Sequence, residues 1–168
     1  MHESNTPSLL VNIPLPHEAM AAEAEALIDK FVKHRGSWNP GWSSLTVHGQ
    51  DIDKTQPAEY YIEDGTYTKE NSPPYDWTSI AEHCPVTVDW LKNKWPFREY
   101  ARCRFMLLEP NGYIQPHQDF DSRHLAAFNV SLSHPPGIEF AQEDAGLIPW
   151  QPGEARGIDI GRKHAVIN

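Results

Sequence analysis

Basic charge, cysteine and long apolar runs are all scarce in this chain. Fourteen lysines and arginines stand against 23 aspartates and glutamates, a formal charge of -9. A phosphate backbone or an anionic lipid surface would be repelled, so no nucleic-acid and no membrane partner is expected, and a small-molecule or peptide ligand is favoured. Two cysteines, Cys84 and Cys103, are too few for a disulfide framework, and each stands among apolar or aromatic neighbours. They are expected to be reduced packing residues in a reducing compartment. No apolar stretch approaches the roughly 20 residues of a membrane helix. The opening MHESNTPSLL has no basic segment leading into an apolar one, so a cytoplasmic chain is expected.

What is present suits a single globular domain spanning residues 1–168. Hydrophobic residues make up 39% of the chain, enough for a core without staples. Composition leaves the oligomeric state open. From His17 to His34 the apolar residues Met20, Ala24, Leu27, Ile28, Phe31 and Val32 recur at helical spacing, which predicts an amphipathic helix begun near Pro16 and ended near Gly36. GSWNPGWSSLTVHG carries turn residues and then a strand. The polar stretch from Gln50 to Pro74 predicts a long surface loop, expected to cover the mouth of the site and to take part in substrate selection. Asp76 is placed to cap a short helix through Cys84, and Pro85 to begin another carrying Trp90 and Leu91.

After Trp95 the pattern changes. ARCRFMLLEP, GYIQPHQD, LAAFNVSL, GIEFAQE, ARGIDIG and KHAVIN are short strand-like runs parted by Asn-Gly, Pro-Pro-Gly and Pro-Gly. The expected fold is therefore mainly β with N-terminal helices, a jelly roll over 96–168 supported by a helical and loop layer over 1–95.

The strand GYIQPHQD raises the chemical question, because it puts His117 and Asp119 where apolar residues are expected. Strict alternation turns Tyr113, Gln115, His117 and Asp119 to one face. His164 lies on a later strand. Two histidines and one carboxylate on one side of an ion form the arrangement in which non-haem Fe(II) keeps open positions for a cosubstrate and oxygen. A surface turn is the plainer reading of His-x-Asp taken alone. Elsewhere, His124 and His134 read as turn or surface histidines, and His48 as a strand histidine with a structural role or a place at the cleft. Trp38, Trp42, Tyr60, Tyr61 and Tyr67 either line a substrate mouth or pin loops to the core.

FMLLEPNGYIQPHQD, AAFNVSLSHP and PGEARGIDIGRKHAVIN together resemble the double-stranded β-helix, a cupin-like jelly roll, of the aspartyl/asparaginyl β-hydroxylase family. GWSSLTVHG resembles an N-terminal element of bacterial and phage members. The likeness runs from about Trp42 onward. It implies a 2-oxoglutarate- and Fe(II)-dependent dioxygenase that uses molecular oxygen to hydroxylate a C–H bond of an amino acid, peptide or protein side chain. On that likeness His117 is the proximal metal histidine, His164 the distal one, and Asp119 the carboxylate ligand. A carboxylate at this position resembles the amino-acid and peptidyl hydroxylases of the wider superfamily.

The family places a basic residue on the strand after the distal histidine, where it pairs bidentately with the far carboxylate of 2-oxoglutarate. The sequence stops at Asn168, before that strand is completed, so a truncated chain, a disordered end or a different anchoring residue is expected, truncation being favoured because a missing last strand would leave an unpaired edge. Arg104, Arg123 and Asn129 are the internal candidates for that contact. Arg123 is equally placed for an ion pair with Asp121, and Arg104 for an exposed strand position. The rival expectation is a non-catalytic metal- or ligand-binding jelly roll, since one fold hosts many functions. A hydrolytic zinc site fits less well, because no glutamate adjoins the motif as a general base.

Overall fold

Short strands, several closed by glycine- or proline-bearing turns, outnumber the helices among the described residues. The computed structural model describes residues 6–34, 39–96, 101–119 and 125–168. In chain order the elements are β1 (Ser8–Val11), α1 (His17–Ala26), a 3-10 turn (Ile28–Lys30), β2 (Val32–Lys33), β3 (Trp42–Gly49) and α2 (Ala58–Glu63). Then come β4 (Asp76–Trp77), a 3-10 turn (Ser79–His83), α3 (Pro85–Asn93), β5 (Cys103–Leu108), β6 (Tyr113–His117) and β7 (Leu125–Val130). The last elements are β8 (Glu139–Gln142), β9 (Gly146–Leu147), β10 (Ala155–Asp159) and β11 (His164–Ile167). The protein is mainly β with few helices, and its sheets pair antiparallel. Among the described residues no helix is long and apolar enough to cross a membrane.

Three expectations for the first half are corrected. The helix ends at Ala26 instead of reaching His34, because Phe31 turns extended and Val32 and Lys33 pair with Ser44 and Ser43 of β3. Sheet pairing satisfies those backbone groups and suits β-branched Val32 better than another helical turn. The 50–74 loop contains α2, whose Tyr61 is buried and stacks edge-on against Tyr60 and Tyr67 at 5.3 and 6.1 Å. Those tyrosines pack the segment against itself. Thr78, not Asp76, caps the Ser79–His83 turn by accepting the Ile80 N–H, while Asp76 pairs with Gly49 in the sheet. Pro85 does begin α3, where its missing N–H is harmless.

The chain divides into two compact units. One comprises Met1–Ala22, Arg35–Trp42 and Leu108–Asn168, the other Glu23–His34 and Ser43–Leu107. In the second unit β3 joins β2 to β4 and also pairs with β5. It is covered on both faces, with Leu45 and Val47 buried on one side and Ser44, Thr46 and His48 on the other. That polar face is satisfied internally: Ser44 Oγ and Thr55 Oγ1 lie 3.0 and 2.8 Å from Nδ1 of buried His34, and Thr46 Oγ1 donates to Lys54 O. His48 Nδ1 donates to Ala101 O at 2.9 Å and its ring meets Trp77 edge-on, so His48 serves the packing of this unit. Burial pushes both thiols up to about 12, and Cys84 and Cys103 are free cysteines of low reactivity.

Glu23 ties α3 to the rest of this unit. Its carboxylate accepts from Val86 N (2.7 Å), Thr87 N (2.9 Å) and Thr87 Oγ1 (2.7 Å) at the first turn of α3, where backbone donors have no helical partner. Glu23→Ala is expected to cost about 1–2 kcal/mol, the upper range for losing a helix cap. Urea unfolding measures this, and an unchanged midpoint at unchanged slope would show that water replaces the carboxylate.

The first unit holds two sheets, ordered β1-β10-β7 and β6-β11-β8-β9. Phe140, Ile148, Trp150, Ile158 and Ile160 form its buried cluster, with Ala127 and Val166 packed against it. Phe140 and Trp150 meet edge to face at 5.2 Å, a favoured aromatic geometry.

Candidate metal centre

Strict alternation along β6 does not hold, and the departure builds the site. Tyr113 pairs with Ile167 and Ile114 with Val166, but His117 pairs with His164. Two residues, Gln115 and Pro116, therefore oppose the single residue Ala165. This is a β-bulge, and Pro116 sits where the ladder needs no donor. The extra residue rotates His117 onto the face of Ile114, Val166 and His164, whereas Tyr113 stays with exposed Ile167 on the other face. The expectation that Tyr113, Gln115 and His117 share one face is thus corrected.

Each histidine is oriented from behind. His117 Nδ1 lies 2.8 Å from Gln115 O and His164 Nδ1 lies 3.0 Å from Arg162 O. A carbonyl only accepts, so both Nδ1 atoms carry a proton, and Nε2 is the nitrogen that each ring turns toward Asp119. His164 stands opposite Gln142 as well as His117, and its ring lies nearly parallel to Phe140 at 6.1 Å. Trp42 lies 6.5 Å from the His117 ring. The two imidazoles are 4.3 Å apart, centroid to centroid.

Asp119 completes the group. Its N–H donates to Ile160 O at 2.8 Å, which ties the residue to the end of the buried cluster. Its Oδ1 lies 3.9 Å from His117 Nε2 and its Oδ2 3.8 Å from His164 Nε2. All three ligand atoms fall within 4.8 Å of one another. The two contacts are too long for hydrogen bonds but shorter than twice a metal–ligand bond of about 2.1 Å. The side chains of His117, Asp119 and His164 are 23, 27 and 10% exposed, so the group is sheltered yet reachable. Among the described residues it is the group of histidines and acids whose geometry can hold a metal ion.

The candidates for an anion contact are scattered. Arg104 lies on β5 in the second unit, where its guanidinium donates to Thr55 O and approaches His34 Nε2 at 3.5 Å. Asn129 is exposed on β7, opposite Arg156 of β10. Arg123, His124, Asp121 and Trp38 lie outside the described residues.

Two supports were not visible in the sequence. Arg162 and Asp159 are 2 and 0% exposed, and Arg162 Nε donates to Asp159 Oδ2 at 3.0 Å while its other arm pairs with Asp144. Asp159 Oδ1 also accepts the Gly161 N–H, and Gln142 Nε2 donates to Asp159 O. This network fixes the turn that offers Arg162 O to His164. The second support is Asn39, whose Oδ1 accepts the Gln115 N–H in the bulge at 2.9 Å. The sequence signalled only a turn at Asn39-Pro40-Gly41 and a polar run after Asp159.

An antiparallel β protein that brings two imidazoles and one carboxylate together in this way falls in the class of proteins with a candidate mononuclear metal centre. The chain belongs to the aspartyl/asparaginyl beta-hydroxylase family, whose family model matches residues 16–168. No curated protein matches it. The family is one of hydroxylases, which bears out the resemblance drawn from the sequence.

Proposed function

We propose that this protein is an Fe(II)- and 2-oxoglutarate-dependent hydroxylase acting on a C–H bond of an amino acid, peptide or protein side chain, and that its two sheets are those of a double-stranded β-helix in one domain. The observation that carries the reading is the convergence of His117 Nε2, His164 Nε2 and the Asp119 carboxylate. Two neutral imidazoles and one carboxylate are the donor set of non-haem Fe(II) oxygenases, so the residues fit the ion. When bound, the iron supplies the redox chemistry by which one substrate C–H, one 2-oxoglutarate and one oxygen molecule become the alcohol, succinate and carbon dioxide.

The chain's own part is to bind, orient and shelter. Gln115 O and Arg162 O fix ring rotation and tautomer, so that both Nε2 atoms are ready as donors. Asp119 supplies the single negative charge and is anchored through its backbone. Phe140 and Trp42 flank the histidines with apolar surface. For the far carboxylate of 2-oxoglutarate we propose Arg123, six positions after His117, because a guanidinium pairs bidentately with a carboxylate. Arg123→Ala is then expected to raise the KM for 2-oxoglutarate more than Arg104→Ala or Asn129→Ala does.

Oxygen uptake and succinate release, measured with Fe(II), 2-oxoglutarate and a panel of free amino acids and peptides, test the proposal. Substrate-stimulated succinate formation in a one-to-one ratio with hydroxylated product is the expected result. A protein that binds Fe(II) tightly yet releases no succinate with any panel member would instead be a metal-binding jelly roll without turnover.

A further inference from the structure

We infer that Asn39 is a positioning residue for His117, acting through the Gln115 bulge; the inference rests on the metal centre proposed above. An extra residue in an antiparallel pair leaves its peptide groups off the ladder, and its place along the strand is then set by whatever else binds them. Both groups of Gln115 are taken. Its N–H donates to Asn39 Oδ1 at 2.9 Å, and its carbonyl accepts His117 Nδ1–H at 2.8 Å. One residue thus joins the Asn39 amide to the imidazole.

Asn39 is itself held fast. It is 9% exposed, and Trp42 N donates to its carbonyl at 3.4 Å. Along the next two residues Pro40 O accepts the Tyr113 N–H (3.2 Å) and Gly41 O accepts the Glu109 N–H (2.9 Å), so the 39–41 segment runs beside the start of β6 at a fixed height. The approach is close: Gly41 has φ +75°, and a Cβ there would stand 3.0 Å from Gly112 Cα. A Cβ on Gly112 would in turn lie 3.0 Å from Pro40 O and 2.7 Å from Glu109 O. With the segment held by these contacts, the Asn39 amide marks one position on β6 as the bulge.

The consequence of losing that mark follows from the period of a strand. If the bulge relaxes to regular pairing, the residues after it shift by one and His117 turns to the face of Tyr113 and Ile167, away from His164. Asn39 supplies no metal ligand, yet the ligand set depends on its side-chain Oδ1.

The test uses Co(II) as a probe on the full chain, with affinity and ligand-field absorption read for the parent, Asn39→Leu, Asn39→Asp and Asn39→Ser, each with a thermal melt. Leucine keeps the shape without an acceptor, and its Co(II) affinity is expected to fall about 10–100-fold with a changed absorption spectrum, the range typical of residues that orient metal ligands. Aspartate retains an oxygen at the same position and should restore the parent spectrum, which a general loss of stability would not predict. Serine is too short to reach Gln115 N and covers the case in which the leucine variant does not fold; it should resemble leucine, not aspartate. Parent-like binding and spectrum in the leucine or serine variant overturn the inference while leaving the metal centre standing, as does an aspartate variant as weak as serine. A parent chain that binds no Co(II) overturns the metal centre, and the role of Asn39 with it.

Discussion

Asp119→Ala is expected to weaken Fe(II) binding by more than the roughly 10–100-fold that supporting residues command, and to stop 2-oxoglutarate-coupled turnover. The substitution removes the only charge in the group and leaves an ion with two neutral imidazoles in place of a facial set of three. The fold should survive intact. Alanine retains the backbone N–H that donates to Ile160 O, and the replaced side chain is partly exposed. Metal affinity and stability therefore separate in this variant: calorimetric titration with Fe(II) under anaerobic conditions should show the loss, while the melting curve stays with the parent. Asp29→Ala removes one exposed carboxylate elsewhere and controls for net charge. Undiminished turnover in the Asp119 variant would mean that the two histidines suffice, and the three-residue centre would be wrong.

Asp159→Ala should produce the largest loss of stability, about 3–5 kcal/mol, because it leaves the Arg162 guanidinium buried without its carboxylate. The partially exposed Asp144 partner softens the loss toward the lower figure. Breaking the Gly161 N–H contact adds to it, since Asp159 organises the turn with both oxygens. The companion Asp159→Asn keeps an acceptor but not the charge, and is expected to lie between alanine and the parent. Because the same turn presents Arg162 O to His164, Co(II) affinity of the folded alanine variant should fall too. Urea unfolding of the metal-free protein reads the first effect alone. A midpoint within about half a kcal/mol of the parent's would show that the buried pair contributes nothing net, as happens when desolvation cancels attraction.

Most strands of the second half were legible because their signals are local. Alternation in ARCRFMLLEP and ARGIDIG, with Asn-Gly and Pro-Gly turns between runs, locates β5, β6, β8, β10 and β11 closely. Pro85 announces the start of α3 for a reason contained in one residue. His117, Asp119 and His164 stood out as polar intrusions in strand sequence, and they are the residues that converge. Less was legible where backbone groups find partners far along the chain. Val32 and Lys33 read as helix until β3 is present to pair with them, and the two-residue strand β4 exists only as the partner of His48 and Gly49.

By itself, then, the sequence determined which residues are available as ligands and that they ride on short antiparallel strands, since residue type, period and turn chemistry are properties of neighbours along the chain. The tertiary structure alone decided that His117 faces His164. A period-two pattern assigns faces only while register is continuous, and register is set by cross-strand pairing: the Gln115–Pro116 bulge opposite Ala165, held by Asn39, moves the histidine to the opposite face from Tyr113. The pairing of Arg162 with Asp159 and Asp144, which aims the second histidine, is likewise decided by contacts that form only after β8, β10 and β11 have come together.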